Sequence, residues 1–160
     1  MWQVVESASV AAPIGLVWNV VSDFERHPQL AGSGEVRDVR LHGPAAPGSR
    51  FDSDVARGEA GSFVSRNRID VVDEPRELRW TSYPPLDDDE TEDHQIEVNW
   101  WFRLSPSWTG TDIEHGFTVA PPRAGAEELA AFLERTDRIA TVRRGMLVTL
   151  ANVKECAETQ

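Results

Sequence analysis

Between Glu97 and Leu104 the chain reads EVNWWFRL. In a strand, successive side chains point to opposite faces. Ile96, Val98, Trp100, Phe102 and Leu104 then form one apolar face, and Glu97, Asn99, Trp101 and Arg103 form the other. Weaker alternation with β-branched valines predicts a first strand over residues 3–10. Ile14, Val17, Trp18 and Val21 then recur at helical spacing, with Pro13 suited to a first helical turn. DFERHPQL reads as a short second helix that ends near His27, because the residue before Pro28 is disfavoured in helical backbone. From Gly34 to about Val119 the two-residue period dominates. EVRDVRLHG, SRFDSDVARG, SFVSRNRIDVVD, ELRWTSYP, HQIEVNWWFRLSP and TDIEHGFTVAP are separated by short Gly/Pro/Asp turns. That pattern predicts an antiparallel meander of six strands, seven with the first. After Ala124 the period changes to that of a helix, with Leu129, Phe132, Leu133, Ile139, Ala140, Met146, Leu147, Leu150 and Val153 apolar. One long amphipathic helix to about Ala157 is expected, roughly 45 Å long for thirty residues. The element order is α+β, and a curved sheet wrapped around the long helix is its economical packing.

The length of 160 residues suits a single domain, 1–160. The net charge of −11 repels phosphate backbones and argues against nucleic acid. Six acids crowd into Asp87–Asp93, as a solvated loop tip or as a site for a cation or a basic partner. Cys156 is the single cysteine, so no intramolecular disulfide and no cysteine zinc cluster can form. The start, MWQVVESASV, lacks the basic and long apolar regions of a signal peptide, and no stretch approaches the roughly 18 apolar residues of a membrane span. The expectation is a cytoplasmic protein.

SVAAPIGLVWNVVSDFERHPQL supplies a strand, Ala-Pro, a helix carrying Val-Trp, and an Asp-x-x-x-x-Pro step. With PGSRF, VVDEPRELRWTS and the final helix, it resembles the helix-grip superfamily (SRPBCC, START-like), in its polyketide cyclase/dehydrase-like branch. The resemblance spans nearly the whole chain. It implies a cavity between the concave sheet face and the long helix. Functionally it leaves binders, carriers, cyclases and chaperone partners open.

The strand periods assign the residues that would face such a cavity. Phe51, Ser53 and Val55 face inward on the third strand; Phe63, Ser65, Asn67, Ile69 and Val71 on the fourth; Leu78, Trp80 and Ser82 on the fifth. Ile113, His115, Phe117 and Val119 do so on the last strand, and Val4, Glu6, Ala8 and Val10 on the first. Five of these positions, Glu6, Ser53, Ser65, Asn67 and His115, are polar. Mostly aromatic walls with a few placed polar groups are the pattern of a small-molecule site.

The leading reading is therefore a site for a small hydrophobic or aromatic molecule. Phe51, Phe63, Trp80, Trp100, Phe102, Phe117 and Met146 would form its walls, and Ser65, Asn67, His115 and Arg143 would orient the ligand. Arg143 falls inside the helical apolar stripe. It either pairs with Glu6 or a ligand carboxylate, or snorkels out beside Arg144. The alternative is a polyketide cyclase or dehydratase using His115, Glu6 and Arg143 as acid/base groups, against which His115 and Glu6 form only a structural hydrogen bond. The third reading is a ligand-free interaction module. His27 is expected at the surface near the cavity mouth. The four histidines have no metal-ligand spacing, so neither metal nor cofactor is expected. Trp101, on the convex face, suggests a homodimer contact.

Overall fold

The computed structural model describes residues 2–57, 61–84 and 96–160. The acidic run Asp87–Asp93 and His94 lie outside them. Seven strands are present: β1 (Trp2–Val10), β2 (Val36–Leu41), β3 (Arg50–Ala56), β4 (Ser62–Asp73), β5 (Glu77–Tyr83), β6 (Glu97–Ser107) and β7 (Gly110–Ala120). They form one antiparallel sheet in the order β1-β7-β6-β5-β4-β3-β2. The meander runs through successive hairpins, and the first strand adds to the last, with Glu6 directly opposite His115.

Between β1 and β2 lie α1 (Ile14–Val21), a 3₁₀ turn (Phe24–Arg26) and α2 (His27–Leu30). α1 buries Val17, Trp18, Val20 and Val21, the stripe that its spacing implies. The second helix begins where the sequence suggested it ends, with Pro28 in its first turn. There proline's missing N–H has no helical partner to lose.

The C-terminal segment is two helices, α3 (Ala126–Arg135) and α4 (Arg138–Glu158), not one. Asp137 sits between them in left-handed backbone, φ 50°. The buried residues explain the break. α3 buries Leu129 and Leu133, and α4 buries Val142, Met146, Leu150, Val153 and Ala157. Leu133 and Val142 are nine residues apart, about two and a half turns, so an unbroken helix would put them on opposite faces. Breaking the helix lets Leu129 and Leu133 of α3 join Val142 and Met146 of α4 in the cluster that contains Ile96, Val98, Phe117 and Val119, while Leu150, Val153 and Ala157 pack into the cluster around Val17, Trp18 and Phe102.

The strand phases hold, with one slip. A bulge between Ile69 and Val71 pairs Val71 with Arg79 and Val72 with Leu78. A one-residue bulge exchanges the faces beyond it. Val72, not Val71, therefore joins the core.

α4 lies mainly along β1 and is tied to the front of the chain. Asn152 Nδ2 donates to the Leu30 carbonyl at 3.0 Å, and the Gly32 amide donates to Thr149 Oγ1 at 2.9 Å. Gly32 is pressed so close to α4 that a Cβ there would lie 2.2 Å from the Gly145 carbonyl oxygen. Among the described residues, no helix is long and apolar enough to cross a membrane.

Candidate concave-face ligand site

The concave face carries an aromatic layer. Phe24 touches Phe51 (4.8 Å between ring centroids) and Trp80 (5.6 Å). Trp80 stacks with Trp100 at 6.4 Å, and Trp100 meets Phe117 at 4.8 Å. The His115 ring is nearly parallel to Phe102 at 4.2 Å and stacks with Trp100 at 5.7 Å.

The buried apolar side chains fall into two clusters, one around Phe24, Phe51, Trp80 and Phe102, the other around Val4, Ile96, Phe117 and Met146. Trp100 packs against both yet is only half-buried, although it faces inward on a central strand. Phe63 is likewise inward and half-buried.

Ser53, Ser65 and Asn67 are buried together on adjacent strands. Asn67 Nδ2 lies 3.1 Å from each of the Phe51 carbonyl, Ser53 Oγ and the Ser65 carbonyl. Ser65 Oγ donates to Asn67 Oδ1 at 3.4 Å. The knot thus satisfies much of its own polarity, which removes most of the burial cost.

Two histidines complete the face. His115 Nδ1 donates to the Trp101 carbonyl at 3.0 Å. Burial holds its pKa down to about 4, against the lift from that hydrogen bond. His27 is not a surface residue as expected: its ring packs on Phe24 (4.8 Å), Trp80 (5.2 Å) and Phe102 (6.4 Å). Its Nε2 donates to the Val21 carbonyl at 2.8 Å, and burial lowers its pKa as well. Each imidazole is held neutral, with one nitrogen bound to backbone and the other, among the described residues, free to accept a hydrogen bond.

The suggested acid/base trio is not assembled as one hydrogen-bonded group. Glu6 faces inward opposite His115, but its carboxylate lies 3.2 Å from Arg143 Nε. Arg143 itself is 56% exposed, so it reaches out over the helix edge to Glu6. No Glu6–His115 hydrogen bond forms among the described residues. Met146 is buried in the second cluster.

Trp101 overturns another expectation. It is on the convex face, but only 5% exposed. Its ring lies under the guanidiniums of Arg79 and Arg103, at 5.0 and 5.6 Å, and its Nε1 donates to Glu114 at 3.0 Å. Gly116 opposite leaves room for the ring. The case for a dimer contact at Trp101 falls with that burial.

At the sheet rim, Glu35 accepts two 2.8 Å hydrogen bonds from Arg138, and Arg57 lies over the Phe63 ring. Sequence reading missed this trio, because single charges at element ends carry no periodic signal. His27 escaped for a related reason: its inward direction is set by the 3₁₀ turn before it. Among the described residues, no group of three or more His, Cys, Asp or Glu side chains could hold a metal ion. Two open surface depressions, of about 650 and 930 Å³, lie elsewhere and include none of Ser65, Asn67, Trp80, Trp100 or His115.

A curved antiparallel sheet with a long C-terminal helix laid across it and two short helices after the first strand defines the helix-grip fold. Residues 1–154 match the family described as polyketide cyclase / dehydrase and lipid transport, and the chain belongs to that family. Solved structures share the architecture at low identity. A protein from Mesorhizobium loti aligns with a TM-score of 0.68 at 13% identity, covering 99% of this chain and 98% of that one. A protein from Thermus thermophilus gives 0.69 at 15%, covering 99% and 98%. The di-domain ARO/CYC StfQ of the steffimycin biosynthetic pathway gives 0.69 at 11%, covering 98% of this chain and 50% of StfQ. No curated protein matches.

Proposed function

We propose that the protein binds a small, largely apolar or aromatic molecule against the concave face of its sheet. The observation that carries this is Trp100. An inward-facing indole on a central strand is normally sealed by the opposing layer. Here it stays half-buried between two apolar clusters, beside Trp80, Phe117 and His115. Aromatic walls, the Ser53–Ser65–Asn67 knot and two neutral imidazoles suit a ligand with a flat apolar body and a few hydrogen-bonding groups. Membership of a family described by polyketide cyclisation and lipid transport supports the same class of ligand.

The test is tryptophan fluorescence on titration with neutral probes, N-phenyl-1-naphthylamine and 1-pyrenebutanol among them. W100F should lose most of the response, and W101F should keep it. Silence across the panel, or an undiminished response in W100F, would overturn the reading.

A cyclase or dehydratase acting at the same face is the second reading, favoured by the free acceptor nitrogen of His115. H115A that abolishes turnover of a polyketide-like substrate while preserving its binding would support it. Unchanged turnover would remove His115 from the chemistry.

A further inference from the structure

Arg57 follows β3 and turns back over the inward face, its guanidinium 5.0 Å from the centroid of the Phe63 ring. Phe63 begins the inward row that continues through Ser65 and Asn67. Beside it, Glu35 gives one carboxylate oxygen to each terminal nitrogen of Arg138. The same carboxylate is 3.8 Å from Arg57 Nε, beyond hydrogen-bond reach. Arg57 Nε is closed off from solvent and has no hydrogen-bond partner among the described residues. The side chain as a whole is 27% exposed. One carboxylate therefore serves two guanidiniums, and the surplus positive charge rests on Arg57. Burial, and then the charge of Arg138, hold the Arg57 pKa below its ordinary value. A shielded donor with no acceptor is costly to keep, and a guanidinium is matched in shape by a carboxylate.

We infer that Arg57 receives a carboxylate on the ligand, whose apolar body runs from Phe63 along the concave face toward Trp80 and Trp100. The inference rests on the concave face being a ligand site, and it narrows the ligand class to aromatic or aliphatic acids. Arg138 is already committed to Glu35, so it positions the rim and leaves Arg57 as the group that meets the anion.

The experiment compares two probes of one skeleton, 1-pyrenebutyrate and 1-pyrenebutanol, by fluorescence titration of the full chain. The native protein should prefer the acid by about tenfold or more, the discrimination that one charge-assisted hydrogen bond supplies. R57Q should bring the acid-to-alcohol ratio near one, and R57K should retain part of it. A ratio near one in the native protein, or an unchanged ratio in folded R57Q, overturns the anion site. The first of these needs no variant, so it decides even if R57Q does not fold. If the alcohol binds and the acid gains nothing, only the anion site fails. If neither binds, the concave-face reading fails with it.

Discussion

Gly116 and Trp101 form a lock-and-space pair across β6 and β7. A Cβ on Gly116 would fall 1.8 Å from Trp101 Cε2. The indole cannot swing away freely, because two arginines cover it and Glu114 holds its Nε1. G116A should therefore destabilise the fold by about 1–3 kcal/mol, the usual cost of overpacking, read as a lower midpoint in urea. His115 makes a different residue-scale prediction. Well above pH 6.5 its imidazole is neutral in both the folded and the unfolded chain, so it adds no pH dependence. Below that, the unfolded chain takes up a proton that the folded chain refuses, until the folded pKa of about 4 is passed. Stability should fall over this window by an amount on the order of 3 kcal/mol from this group. The His115 ring resonances should not titrate above about pH 5, and H115F should flatten part of the acid slope.

At the scale of elements, the close approach of the α2–β2 connection to α4 is the most exposed to perturbation. A methyl at Gly32 would collide with the Gly145 carbonyl, the Val148 Cβ and the Thr149 amide, two of them backbone groups. G32A should push the connection off α4 and break the Gly32–Thr149 hydrogen bond. Faster amide exchange across residues 30–35, with a lower melting temperature, is the expected result. This role of Gly32 leaves no mark in the sequence, because a glycine required by close packing looks the same as one required by a turn.

Strand existence and facing were legible, since alternation is a local property and each strand carries enough apolar residues to fix its phase. The bulge after Ile69 was not, because Val71 and Val72 are interchangeable on paper. The helix break at Asp137 was hidden by residues such as Ile139, Ala140 and Leu147, which let one stripe be drawn through two. Leu147 is in fact 47% exposed. Of the candidate site, the inward polar positions could be read from strand phase. The Arg57–Glu35–Arg138 rim could not, because it assembles from the ends of three elements far apart in the chain.

For the whole molecule, the Glu35–Arg138 bridge connects the loop before β2 to the first turn of α4. Both side chains are mostly shielded, and the pairing with Arg138 holds the Glu35 pKa below its usual range despite the opposing effect of burial. Removing Arg138 takes both short hydrogen bonds from a shielded carboxylate and leaves it only the 3.8 Å contact with Arg57. R138Q should cost on the order of 2 kcal/mol, read by chemical unfolding. The carboxylate left behind would then turn to Arg57, so R138Q should also weaken the preference for an acidic probe.

The placement of β1 has a consequence in time. Its residues pair with β7 from Trp2 against Val119 to Val10 against Thr111, and α4 packs on it from still further along the chain. At synthesis rates of about 5–20 residues per second, the first strand made waits on the order of ten seconds for its partner to exist. The hairpins from β3 to β7 need only local closure and are free to form first, whereas β1 pays the full entropy of a long loop. Pulse-labelled amide exchange during refolding should therefore find β1 among the last strands protected. The sheet is complete only when β1 reaches β7, and until then that side of the aromatic floor stands open.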